Sequence, residues 1–236
     1  MASRPWKVLP HDPIVKHEEN LWSVRGVTRP GAVIDRRMAM VKLDDGRLLF
    51  FNAVPLAEEA MKEIEAWGKP AYLVVPNGFH RLDIHAFKER YPGMKLVTPA
   101  PATQKVSQVA EVDGDLTTLP VGGGLVVEAL EGTSIGEPAL VVTSGGRRSV
   151  VFGDAMMNLD HGGGFEGFVM KLLGSTGGPK VTRIARWFLV SDATRLRTHL
   201  EMLAALPELT RIIPSHGKII EADAPRVLRE VAAGLK

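Results

Sequence analysis

The sequence predicts an α/β protein on three observations. Apolar, β-branched runs are bounded by turn residues, amphipathic helical spacings fall between them, and Ala71–Val75 is apolar throughout, as in a strand buried on both faces. The chain has 236 residues, 45% hydrophobic and 24% charged, which excludes a disordered polymer and is enough for one sizeable core. We read a single domain over residues 1–236. Residues 1–20, rich in proline and charge, form an irregular lead-in, and residues 158–180 are a candidate lid.

Leu21–Thr28 and Arg36–Leu43 carry β-branched and aromatic residues. Asp44-Asp45-Gly46-Arg47 then signals a turn before Leu48–Phe51, so the pair reads as a hairpin. A helix follows, with Leu56, Ala60, Ile64 and Trp67 on one face and Gly68 as its C-terminal cap. After the strand Ala71–Val75 come a helix over Asp83–Tyr91, stopped by Pro92-Gly93, and a short strand, Lys95–Thr98. The runs Leu125–Leu130, Ala139–Thr143 and Arg148–Phe152, split by Gly/Ser/Pro turns, predict a meander. In 158–180, glycines flank the apolar patch Phe165–Leu173, which suits either a mobile lid or a short core helix. The last third has Asp192 as an N-cap, Ala193, Leu196, Leu200 and Leu203 facing inward, His199 facing out, and Pro207 as a stop. A strand Arg211–Pro214 and a closing helix capped by Asp223, with Pro225 in its first turn, complete the chain.

Composition narrows the function. Lys+Arg number 29 and Asp+Glu 27, a net +2, so there is no strong field to recruit nucleic acid. Lys180, Arg183, Arg186, Arg195 and Arg197 near Trp187 read as a solvated helix face. With no cysteine there is no disulfide or thiolate nucleophile, and any metal must take nitrogen and oxygen ligands. No apolar run approaches the ~18 residues of a membrane span, and the proline-broken N-terminus lacks a signal-peptide stretch. The expectation is a cytoplasmic protein acting on a small molecule, with no nucleic-acid or membrane partner and with room for a homodimer.

The chemistry gathers where apolar strands end. Val74-Val75 runs into Pro76-Asn77-Gly78-Phe79-His80-Arg81-Leu82-Asp83, Val151-Phe152 into Gly153-Asp154, and Ile212-Ile213 into Pro214-Ser215-His216-Gly217. Loops at such exits expose side chains on a scaffold that fixes their positions. Two His and two Asp from three exits make a plausible shell for zinc, iron(II) or manganese.

This order of elements and motifs resembles the metallo-β-lactamase-fold hydrolases over nearly the whole chain. The resemblance implies a four-layer αββα sandwich, a metal carboxylate at Asp154 after Phe152-Gly153, and a metal imidazole at His216 before Gly217. The family's first motif, His-x-His-x-Asp-His, is altered here: Gly78 stands at its first histidine, His80 at its second, Leu82 at its aspartate and Asp83 at its last histidine. The strand-end histidine of the middle has no counterpart in Glu131–Gly136. Four ligands can thus be matched, His80, Asp83, Asp154 and His216, which suits one ion and speaks against a second. His85 and His161 lie near enough in sequence to be further candidates.

The function expected is metal-dependent hydrolysis of an ester, lactone, thioester or phosphoester. One divalent ion, zinc before iron or manganese, activates water, with Asp83 as fourth ligand or general base and Asn77 or Ser215 as oxyanion donor. The alternative is a binding or scaffold protein that keeps the fold around a vestigial site, its polar residues hydrogen-bonded to one another. Ser134 and Ser215 lack a nucleophile elbow, so a serine hydrolase is disfavoured.

Overall fold

A computed structural model describes residues 5–32 and 34–235. In chain order the strands are β1 (Val15–Glu18), β2 (Leu21–Val27), β3 (Asp35–Lys42), β4 (Arg47–Phe51), β5 (Lys69–Val74), β6 (Lys95–Val97), β7 (Leu125–Ala129), β8 (Pro138–Ser144), β9 (Arg147–Phe152), β10 (Met157–Leu159), β11 (Gly178–Lys180) and β12 (Leu209–Pro214). The helices are α1 (Glu58–Trp67), α2 (Ile84–Arg90), α3 (Thr103–Val106), α4 (Gly164–Leu172), α5 (Arg183–Phe188), α6 (Ala193–Ala204) and α7 (Ala224–Ala233). Strands β1 to β6 form one sheet in sequence order, antiparallel as far as β4 and then parallel through the crossover helices α1 and α2. The second sheet has the order β12-β9-β8-β7, with β12 parallel to β9 and the other pairs antiparallel.

Alternation along the strands builds the layers. In β3 and β4, Met38, Met40, Leu48 and Phe50 pack with α1 and α2 through Met61, Ile64 and Phe87. Their neighbours Ala39, Val41, Leu49 and Phe51 face the other way, onto Leu140, Val142, Val151 and Ile213 of the second sheet. The reverse faces of those strands, Val141, Val150, Phe152 and Ile212, meet Leu196 and Leu200 of α6 and Leu228 and Val231 of α7. Each central strand therefore contributes to two cores, which is why its sequence is a continuous apolar run. The result is helix, sheet, sheet, helix.

Several local expectations are corrected. The lead-in is not irregular throughout, because Val15–Glu18 pairs antiparallel with β2; its residues 1–4 lie outside the described residues. Gly68 ends α1 in extended rather than left-handed backbone, and a Cβ there would come within 2.6 Å of Leu48 Cδ2 and 2.7 Å of the Gly46 carbonyl, so close approach calls for glycine. Asp192 caps α6 by accepting the Arg195 N–H, whereas Asp223 turns its carboxylate to Arg226 and makes no backbone cap. His199 is not on the exposed side of α6: it is buried, Nδ1 accepts from the Glu131 N–H at 3.1 Å, and Nε2 meets Glu128 at 2.9 Å. Residues 158–180 hold most of β10, all of β11, which pairs with it antiparallel, and the nine-residue α4, whose Met170 is buried while Phe165, Phe168 and Leu172 face solvent.

Candidate metal centre

Parallel register brings the first two donors together. Phe152 of β9 pairs with Pro214 of β12, so Asp154 and His216, each two residues further on, emerge side by side at one end of the second sheet. The Ser215 N–H and Oγ both bond the Phe152 carbonyl, at 2.9 and 3.0 Å, holding the two exits in step. His80 arrives from the first sheet, in the loop after β5. Its Nε2 lies 2.9 Å from Asp154 Oδ1, and His216 Nε2 lies 3.0 Å from the same oxygen. One donor atom from each residue falls within 4.8 Å of the others, and among the described residues this is the one such cluster of three.

The set fits a divalent ion. Zinc accepts imidazole nitrogen and carboxylate oxygen at about 2.0–2.2 Å, so tetrahedral donors stand roughly 3.3 Å apart, close to the spacing here. The contacts of His216 are compatible with this. His216 Nδ1 meets the Asp35 carbonyl, an acceptor, and Nε2 meets the Asp154 carboxylate, also an acceptor. Both contacts are satisfied together either by an imidazolium or by a neutral ring, Nδ1–H on the carbonyl, whose Nε2 lone pair faces a cation. Burial lowers the His216 pKa, yet Asp154 and the Asp35 carbonyl outweigh it and hold the ring above its ordinary value. Burial would likewise raise Asp154, but the two imidazoles keep it well below the usual carboxylate range.

Behind the donors lies a residue that no sequence signal singled out. Glu137, fully buried at the start of β8, accepts Asn77 Nδ2 at 2.7 Å and the Asp154 N–H at 2.9 Å on Oε1, and the Ala155 N–H at 2.6 Å on Oε2. Its carboxylate fills the space a Gly153 Cβ would need, 2.6 Å away. Burial and the neighbouring Asp154 raise Glu137, and the N–H donors on its two oxygens work against that rise. Asp35, at the start of β3, takes the Gly217 N–H on its side chain and His216 on its carbonyl, tying the last exit to the first sheet.

The roles expected of three residues do not survive. Asp83 is outside the cluster: it is wholly buried and paired with Arg36 Nη1, so it neither joins the other donors nor reaches cleft water. Asn77 is also wholly buried, and its amide donates to both Glu137 and Asp154 Oδ2, so it orients Asp154 instead of facing an oxyanion. Ser215, spent on the Phe152 carbonyl, is likewise no oxyanion donor. His85 pairs with Glu89, and His161 with the Thr176 hydroxyl.

Similarity to solved structures follows the same architecture. The chain aligns with the DIM-1 metallo-β-lactamase exposed to ceftazidime at a TM-score of 0.65 and 17% identity, over 98% of this chain and 100% of that one. It aligns with the metallo-β-lactamase from Pontibacter korlensis at 0.62 and 13%, over 95% and 100%. For the mono-zinc form of FIM-1 from Pseudomonas aeruginosa the values are 0.60 and 14%, over 96% of each chain. No protein-family model and no curated protein sequence matches the chain. At these identities the likeness defines the architecture, and the chain is a protein of the metallo-β-lactamase fold.

Proposed function

We infer that the protein is a metal-dependent hydrolase holding a single divalent ion, zinc by preference, on His80 Nε2, Asp154 Oδ1 and His216 Nε2. The observation that carries this reading is the convergence of two imidazoles on one carboxylate oxygen at the edge of an open cleft. When bound, such an ion supplies Lewis-acid polarisation of an electrophilic oxygen and acidification of water to a pKa near 7. The chain's own part is orientation. Asn77 and Glu137 fix the Asp154 carboxylate, the Asp35 carbonyl fixes the His216 tautomer, and Asp154 faces the cleft that also exposes His80 and His216. The fold of the solved lactamases and the FIM-1 mono-zinc form support a hydrolytic, one-ion reading.

The second reading, a binding protein without turnover, is favoured by the closed network that the three side chains make among themselves. Elemental analysis and thermal unfolding with added zinc separate the two. At zinc one hundred times its Kd, stabilisation is about 2.7 kcal/mol, or roughly 5–10 °C in a chain of this size. Asp154→Ala and His216→Ala are expected to abolish that shift together with any ester hydrolysis. A protein that cannot be loaded with zinc, iron or manganese overturns the hydrolase.

A further inference from the structure

A second cavity opens from the same carboxylate. About 200 Å³ in volume, it is lined by Phe79, Met157, Ile184, Ala185 and Phe188 together with Asp154. The metal-side cleft, about 340 Å³, shares Phe79, Met157 and Asp154 with it and adds His80 and His216. A molecule reacting over the three donors can therefore extend an apolar group past Phe79 and Met157 into this cavity.

We propose that the substrate carries an uncharged apolar group, an alkyl chain or single ring, seated in this cavity between Phe79 and α5. The inference rests on the hydrolase reading and narrows its substrate class. The walls are preformed. Ala185 is the buried residue of α5, the Thr182 hydroxyl caps that helix by accepting the Ala185 N–H at 3.1 Å, and Lys105 Nζ sits 5.2 Å from the centre of the Phe79 ring. Yet Phe79 and Phe188 are 62% and 63% exposed, large aromatic surface turned to solvent at the mouth. An apolar guest covers that surface. A charged group would lose its hydration there, and the cavity's one ionised residue, Asp154, repels anions and is already committed to two imidazoles.

At about 30 Å³ per carbon-sized group, the cavity accommodates roughly six or seven carbons. The test has two arms. In the first, neutral 3-phenylpropan-1-ol is titrated into methyl-labelled protein and the Ile184, Ala185 and Met157 methyl resonances are followed. Saturable shifts at these methyls are expected, lost in Ile184→Asp, which puts a charge in the half-buried wall, and in Ile184→Trp, which fills the space without charge. In the second arm, methyl esters of C2 to C10 acids are hydrolysed by zinc-loaded protein, and kcat/KM is expected to rise about fourfold per added methylene until the cavity is full. Methyl shifts without hydrolysis of any ester sink the hydrolase reading alone. Hydrolysis indifferent to chain length, or methyl shifts that are absent or persist in both Ile184 variants, overturns the apolar-group assignment and leaves the hydrolase standing.

Discussion

Glu137→Gln decides how the centre is supported. Three N–H donors converge on this carboxylate from Asn77, Asp154 and Ala155, and none of its hydrogen-bond partners is an acceptor. A carboxylic acid there would turn its O–H against an N–H, so the three donors favour the anion against burial and Asp154, which raise the group. The imidazoles flanking Asp154 ease the repulsion between the two carboxylates. Glutamine preserves the shape but has one acceptor oxygen. In its better orientation the amide still sets an NH₂ against the Ala155 N–H. Losing a charge-assisted bond costs about 1.5–3 kcal/mol, offset in part by removal of a buried charge, for a net loss of roughly 1–3 kcal/mol. In a chain of this length that lowers Tm by about 2–12 °C. Because Glu137 orients Asp154, zinc affinity is expected to fall 10- to 100-fold as well. Differential scanning fluorimetry at neutral pH, followed by competitive zinc titration, measures both. If Tm stays within 1 °C of the parent and zinc affinity is unchanged, glutamine is mimicking a neutral acid and the reasoning fails.

Gly153→Ala attacks the same support from the other side, since its Cβ would press on Glu137 Oε1 at 2.6 Å; weakened zinc binding with secondary structure retained by circular dichroism is expected, and unchanged zinc affinity refutes it. Arg36→Met strips the guanidinium from buried Asp83, and breaking such a pair costs about 3–5 kcal/mol, read as a lower urea midpoint at constant slope. His17 is held down to about 4, by burial first and then by Arg211. The folded state thus binds fewer protons than the unfolded chain between pH 6.5 and 4, so this contribution is complete above pH 6.5 and is lost as pH falls towards 4. Discounted for its partial exposure, the loss is about 1–2 kcal/mol, and urea unfolding at pH 7 and pH 5 is expected to show less acid sensitivity in His17→Gln than in the parent.

What the sequence made legible was whatever depends on one strand at a time. The runs Leu48–Phe51 and Val150–Phe152 declare strands because both their faces are buried, and residues just past the exits of β5, β9 and β12 are placed by the sheet itself. Glu137 is hidden in the sequence because it lies at a strand entry, where no apolar run leads into it. Strand β8 runs antiparallel to β9, pairing Ala139 with Phe152, so the entry of β8 lies at the same edge as the exit of β9. Asp35 is hidden in the same way, at the entry of β3. Asp83 sits where a ligand would stand in the motif, but its partner Arg36 lies 47 residues earlier, a pairing no local spacing reveals. His199 was legible after all: with Leu196, Leu200 and Leu203 it completes an i, i+3, i+4, i+7 stripe, and polarity alone had assigned it to the outer face. Trp22 and Trp67, far apart in the chain, stack at 4.0 Å because Trp22 projects from β2 onto the face of the first sheet that α1 covers.

The Asp83–Arg36 pair bears on how many ions the cleft can hold. A second divalent ion beside the first needs its own donors, and the positions nearest His80 in sequence supply none. Leu82 lines the metal-side cleft with a hydrocarbon side chain, while Asp83 is withdrawn beneath it against a guanidinium. Arg36 also donates to the Ala53 and Val27 carbonyls, so its charge is fixed at the cleft wall by three separate anchors. The same arrangement that takes Asp83 out of the donor set leaves two imidazoles and one carboxylate facing the cleft, the donors on which the proposed single ion would rest.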